Sequence, residues 1–403
     1  MRQANPVIAT FLLLIGAGIH AADLPRRITT VAGDYDRHDS LVRFALPAPT
    51  GHLLHLEDEH GNLMPLQTDT HGNASFIEKD LKHGSQKAYR LVEGESKLDS
   101  HDGVQAAREG SRIKFAIDGR LVFYYQADPS QLPRPDIKPL YRRGGYLHPV
   151  LTPSGKLVSD DYAPNHLHHH GVWFSWAHAE FEGRHPDFWN MGEAKGTTEF
   201  VALDKTWSGS VHGGFQSEHR FVDLTTPDRV VALNETWLVT VYNVGKGPHP
   251  YWMFDLVSTQ NCATVSPLKL PHYLYGGLGF RGNWDWNGKD KTFFLTSEGE
   301  SDRGKANGTS GRWCHVSGKA AGQSAGIAIL CHPENFRAPQ PMRVHPAEPF
   351  FSFAPQQAAD MEIAPGKPYV SRYRFIVADG PPDKAELDNL WNDYAYPAAV
   401  RLE

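Results

Sequence analysis

The chain has 403 residues, of which 40% are hydrophobic and 21% charged, and a formal net charge of -6 at pH 7. That length exceeds one ordinary core, so two domains are expected, of soluble globular composition. The negative balance argues against nucleic acid or an anionic membrane as partner, and 37 Gly with 29 Pro favour a turn-rich β fold.

Residues 1–21 read as a secretory signal peptide: a basic Met1-Arg2-Gln3 start, the apolar run Val7–Ile19 and small residues at Ala21-Ala22. The run is short for a membrane helix, which needs ~20 apolar residues. Nothing after residue 22 approaches a spanning length, so no transmembrane segment is expected. The mature protein is expected in a periplasm or outside the cell, which permits disulfides. There are three cysteines, Cys262, Cys314 and Cys331, enough for one bridge whose pairing the sequence does not choose.

Residues 22–105 carry short alternating runs, such as Leu41–Leu46 and Lys87–Val92. Turn signals recur at Glu59-His60-Gly61-Asn62 and His71-Gly72-Asn73. This spacing predicts a small N-terminal β-sandwich without chemistry of its own. The polar run Glu93–Ser100 reads as a linker.

Residues 106–403 form the second domain. Ile113–Ile117 alternates, Asp118-Gly119 turns and Leu121–Tyr125 returns, a hairpin signature. The run LPRPDIKPL cannot be an interior strand. Strand-like runs then follow to Val377, with a helical pattern confined to Asp383–Tyr394. Long strands with few helices imply two large stacked antiparallel sheets. The fold class expected is all-β.

The chemistry concentrates in Asn165–Trp189, NHLHHHGVWFSWAHAEFEGRHPDFW, which holds His166, His168, His169, His170, His178 and His185 among Trp173, Trp176 and Trp189. Three further blocks stand out: Pro139–Gly155 with Tyr146 and His148, Tyr273–Trp284 with Tyr275, Arg281 and Asn283, and His332–Arg343 with Arg337. Trp and Tyr faces pack on the C–H faces of sugar rings, while Asn, Asp, His and Arg pair with hydroxyls. Carbohydrate is therefore the ligand class expected.

These blocks resemble the bacterial PmoA-like family. They are Tyr146-Leu-His-Pro with Thr152-Pro-Ser-Gly155, Asn165-His-Leu-His-His-His-Gly-Val-Trp-Phe174, Asp187-Phe-Trp189, Tyr275-Gly-Gly-Leu-Gly-Phe-Arg281 and His332-Pro-Glu-Asn-Phe-Arg337. The family more often has Asp, Pro and Arg where this chain has Asn165, Leu167 and His170. The resemblance implies a galactose-mutarotase-like supersandwich. The methane-oxygenase name attached to the family is rejected, because a membrane oxygenase subunit needs several spanning helices.

The histidine block reads two ways. In an extended segment His166, His168 and His170 would share one face. They could hold a divalent metal, His166 and His168 first, although no cofactor is expected. The other reading is acid–base chemistry on a sugar, with His166, His168 or His169 moving the proton and Arg281 and Arg337 stabilising an oxyanion. That chemistry implies a uronic acid, a keto-sugar or an open-chain aldehyde. Substrate binding is expected from Tyr146, His148, Trp173, Trp176, Asp187, Trp189, Tyr275, Asn283, Trp284 and Arg343. The alternatives are a glycosidase pairing Asp187 with Glu180, Glu182 or Glu193, and a non-catalytic sugar-binding module.

Overall fold

The computed structural model describes residues 24–47, 53–94, 102–128 and 131–403. The expected signal peptide and the core of the expected linker lie outside them.

Among the described residues two eight-stranded antiparallel sheets dominate. The first runs, in spatial order, Met342–Val344, Phe350–Phe353, Gly277–Arg281, Val172–Ser175, Tyr146–Val150, Arg120–Gln126, Arg112–Ile117 and Val104–Glu109. The second runs Gly196–Trp207, His212–Asp223, Val230–Tyr242, Tyr251–Cys262, Tyr369–Asp379, Gln323–Cys331, Trp313–Ala320 and Thr292–Thr296. The all-β class is therefore what the chain adopts. Asp118 and Gly119 do close a hairpin, with φ of 49° and 77°. Two successive positive φ values give the turn the twist of the flanking strands, which Asp-Gly tolerates.

Alternation decides what each sheet face carries. In the first sheet Leu147, Val172, Phe174, Leu278, Phe280, Met342, Val344, Phe351 and Phe353 point inward, into a core shared with Phe215, Trp237, Phe254 and Phe375 of the second. The residues between them point outward. Across the sheet Tyr146 pairs with Trp173, Trp173 with Gly279, Gly279 with Ser352 and Ser352 with Arg343. Two residues along, on the same face, Arg281 pairs with Phe350. This outer row is the platform of the candidate site.

The outer face of the second sheet is covered by the helix Lys384–Ala395, through Leu387, Leu390 and Trp391. Asp383 caps that helix, accepting from the backbone N–H groups of Ala385 and Glu386.

The N-terminal segment forms a five-stranded and a three-stranded sheet around Ile28, Val42, Leu56, Phe76 and Tyr89. Two features depart from the expected boundaries. The strand Val104–Glu109 spans the expected 105/106 division and pairs with Arg112–Ile117. The C-terminal strand Ala399–Leu402 pairs with Arg27–Val31, so the last residues of the chain complete the first sheet. All three cysteines are free. No helix among the described residues is long and apolar enough to cross a membrane.

Candidate functional site

The histidine block is not an extended strand. The N–H of His166 donates to Ala163 C=O at 2.8 Å, that of His169 to His166 C=O at 2.9 Å, and that of Tyr162 to His169 C=O at 3.0 Å. The chain therefore curls over the outer face of the first sheet, and the expectation that alternate histidines share a face fails. Residues three apart meet instead. The rings of His166 and His169 stack at 4.6 Å and 8°, and His168 stands edge-on to both at 5.6 and 4.7 Å.

His169 also stacks on Phe350 at 4.7 Å and lies 5.2 Å from Trp173. Trp173 contacts Trp189, Trp189 contacts Tyr275, and Tyr275 contacts Tyr273, all at 5.0–5.4 Å. Trp173 and Trp189 are fully covered, so they support the site and have no face left for a sugar. Tyr273 and Tyr275 are half-buried and so remain partly accessible.

Glu348 completes the cluster, and sequence reasoning did not find it. Its Oε1 accepts from Asn165 at 2.8 Å, its Oε2 from Arg281 Nη1 at 2.5 Å, and His166 Nδ1 lies 3.1 Å from Oε2. Burial alone would raise the carboxyl pKa. The hydrogen bonds from His166 and Arg281 outweigh it and pull it down to about 2. His345 Nδ1 accepts from the N–H groups of Ala347 and Glu348, which assigns its proton to Nε2. The only signal available was the run His345-Pro-Ala-Glu348-Pro, one carboxylate between prolines.

Burial holds several of these imidazoles neutral. His168 is pushed down to about 3 by burial and then by His166, His170 and Arg281. Burial, and then the neighbouring His168 and Arg281, keep His169 well below its ordinary value. His168 is half-buried and makes no hydrogen bond among the described residues, so its ring is free to meet a ligand.

A second layer sits beneath. His170 is buried, with Nδ1 2.5 Å from Asp161, which also accepts from the Tyr146 hydroxyl at 2.9 Å. Burial and then Arg143 keep His170 neutral, and burial lifts Asp161 and its neighbour Asp160 to about 6. His148 Nδ1 meets Ser159 Oγ at 2.9 Å, and burial lowers its pKa.

Several expected site residues serve the fold instead. Trp176 lies in the inter-sheet core with its indole N–H on Gln260. Asp187 accepts from the backbones of His178, Trp189 and Asn190 and from the Asn190 amide, holding a turn. Asn283 caps the short 3-10 turn Trp284–Trp286 and donates to Leu157 C=O. Trp284 is exposed, without ring contact to the cluster. Arg337 spends its guanidinium on the carbonyls of Pro355, Ala359 and Asp360. Pro355 flanks Gly277, at the end of its strand opposite Arg281, so Arg337 does not join the cluster. Arg281 belongs to the cluster but is buried and committed to Glu348 and Asn165, so it cannot reach out to a substrate oxyanion. Of the carboxylates expected for a glycosidase, Asp187 holds its turn, Glu182 pairs with Arg184 and Glu193 with Lys195.

Ligand atoms of His166, His169 and Glu348 lie within 4.8 Å of one another. The donor types suit Zn²⁺, but imidazole binds a metal in its ring plane at ~2.0–2.1 Å. Two parallel rings cannot both do so. Arg281 Nη1 also sits at the same Glu348 oxygen, 3.5 Å from His169 Nδ1. A metal would require one ring to turn and the guanidinium to withdraw, and His168 is outside this group. A cavity of about 400 Å³ lies elsewhere, against Pro139, Arg142, Thr197 and Phe200.

Residues 112–392 match the model of a family of unknown function, DUF6807, and the chain belongs to that family. The match does not confirm the PmoA-like name. No curated protein matches. Among solved structures the chain is similar to an alpha-mannosidase from Enterococcus faecalis V583, at 10% identity and TM-score 0.47, covering 95% of this chain and 46% of that one. A glycosyl hydrolase family 38 protein from Enterococcus faecalis gives 9% identity and TM-score 0.45, over 94% and 47%. A galactose mutarotase related enzyme from Lactobacillus acidophilus gives 9% and 0.25, over 69% and 97%. The chain thus spans about half the length of the two Enterococcus proteins. Likenesses this distant carry no assignment of activity.

Proposed function

We propose that this DUF6807 protein is a secreted carbohydrate-active enzyme in which an imidazole moves a proton on a bound sugar. The observation that carries the reading is the convergence of His166, His168 and His169 with Asn165, Arg281 and ionised Glu348 above an aromatic platform. A binding module needs the aromatics but gains nothing from stacked imidazoles beside a partly buried ion pair. His168 is the group that touches substrate. Glu348 and Arg281 orient the turn that presents it. His168 alone is a weak base, and negative charge gathering on the substrate raises its basicity as the proton moves.

The test is turnover of a panel of oligosaccharides and oxidised sugars by the purified mature protein, with and without chelator. Turnover abolished by His168→Gln and indifferent to chelator supports the reading. Glycan binding without turnover, unchanged in that variant, supports a binding module instead. Loss of activity on chelation returns the metal to His166, His169 and Glu348. Secretion is checked by the mass of the mature N-terminus, expected near residue 22.

A further inference from the structure

The two arginines expected from the sequence to grip an oxyanion are both committed within the protein. Arg343 is not. It lies on the edge strand Met342–Val344, whose other two residues face the core. Its side chain therefore projects from the outer face, in the row that runs through Ser352 and Gly279 to Trp173.

Its hydrogen bonding is incomplete. Nη1 donates to the neutral amide of Asn307 at 3.1 Å, and Nε is buried with no partner. No carboxylate lies within ion-pair distance among the described residues. Arg281 also leaves its Nε without a partner but has the Glu348 carboxylate as counter-charge, and Arg303 and Arg337 are each bonded to three carbonyls or more. A half-buried guanidinium with an orphaned donor has paid desolvation without receiving a counter-charge.

The position suits a ligand in the proposed site. With strands ~4.8 Å apart, Arg343 stands ~10 Å across the sheet from Gly279. Only Ser352 separates the two along this row. Tyr275 and His345 are both within electrostatic reach of the guanidinium. Tyr275 contacts Trp189, and Trp189 in turn lies 6.3 Å from His169, so the aromatic row connects the surroundings of the guanidinium to the histidine turn.

We infer that the substrate is an acidic sugar whose carboxylate is gripped by Arg343. The fork matches a carboxylate in two parallel hydrogen bonds, and a hydroxyl offers no charge to replace the missing counter-ion. A carboxylate beside the reacting carbon would also supply the group into which negative charge spreads when a proton leaves. This inference rests on the carbohydrate reading above.

The experiment is calorimetric titration of the full mature protein with galacturonate and glucuronate disaccharides, each against its neutral galactose or glucose counterpart. Acidic ligands are expected to bind at least tenfold more tightly, and added salt to weaken them selectively. Arg343→Gln should lose roughly 10- to 100-fold in affinity for the acidic ligands, the worth of a charge-assisted pair. It should leave the neutral ones unchanged, and Arg343→Lys should retain part of the preference. Should Arg343→Gln fail to fold, the wild-type comparison decides alone. Equal binding of acidic and neutral sugars, or an unaffected Arg343→Gln, overturns the carboxylate inference and leaves the carbohydrate reading standing. Binding of neither class overturns both.

Discussion

Arg281, buried, and Glu348, half-buried, form the ion pair on which the histidine turn rests. Removing the arginine leaves the carboxylate without its cation, at a cost of ~1–3 kcal/mol for a partly buried group. Arg281→Met should therefore destabilise the protein by about that amount in chemical denaturation. Glu348 adds a pH dependence. Its folded pKa of about 2 lies below the 4.5 of the free side chain. The ionised form thus stabilises the fold above pH 4.5, and this contribution is lost as pH falls toward 2. Glu348→Gln should flatten the acid limb of the stability curve over that window. For chemistry, His168→Gln should cost ~10²–10⁴ in turnover on a verified substrate, the usual range for acid–base catalysis. The variant should keep the wild-type fold, because His168 makes no hydrogen bond within it. Wild-type turnover in that variant would end the histidine mechanism.

At the scale of elements, the site depends on how closely the aromatic rings approach the strand Gly277–Arg281. A Cβ on Gly279 would lie 2.8 Å from ring atoms of both Trp173 and Trp189. Both rings are buried against Tyr146 and Phe350, so neither has room to withdraw. Gly279→Ala is expected to cost ~1–3 kcal/mol as overpacking. It should also change the tryptophan signal in near-UV circular dichroism. A variant with wild-type stability and an unchanged spectrum would mean that this layer is looser than described. The histidine turn shows the same dependence on tertiary support. Its own hydrogen bonds close the curl, but Phe350 on one strand and Arg281 on the next set where the rings point.

At the scale of the molecule, the small N-terminal unit and the site use different sheets. Leu41 and Ile77 of that unit join the cluster beneath the C-terminal helix, on the outer face of the second sheet. Arg37 pairs with Asp393 of the same helix at 3.0 Å. Gln67 accepts from the N–H groups of Val211 and His212 and donates to His212 C=O. The His212 ring joins Trp207 to Ser75. Burial, with Arg43 nearby, pushes His212 down to about 4 from 6.5. The unfolded chain therefore takes up this proton first, and stability falls as pH drops from 6.5 toward 4. Gln67→Ala should cost ~1 kcal/mol by leaving partly buried donors unpaired. The unit should come away from the second sheet at a lower denaturant concentration, read as faster hydrogen exchange at Val211 and His212. Unchanged exchange there would show that the apolar contacts alone hold the unit.

The sequence by itself determined the all-β class, the Asp118-Gly119 hairpin and the C-terminal helix. Each is written in local periodicity or turn chemistry, which act over a few residues. It also picked out the histidine block, because six imidazoles in one short window have few structural uses. Local pattern could not say how that block is folded. Its curl comes from backbone hydrogen bonds that the proline and glycine around it permit without dictating. The roles of the arginines were less legible still. Arg281, Arg337 and Arg343 look alike in sequence, and only packing showed that one meets a half-buried carboxylate, one a set of carbonyls and one no counter-ion among the described residues. Glu348 was invisible for the same reason: it lies 67 residues from the arginine that holds it ionised. Charge pairing across such separations is decided by which strands lie side by side. Strand order follows from the burial of whole sheet faces, a property of the tertiary structure that no single stretch of the chain contains.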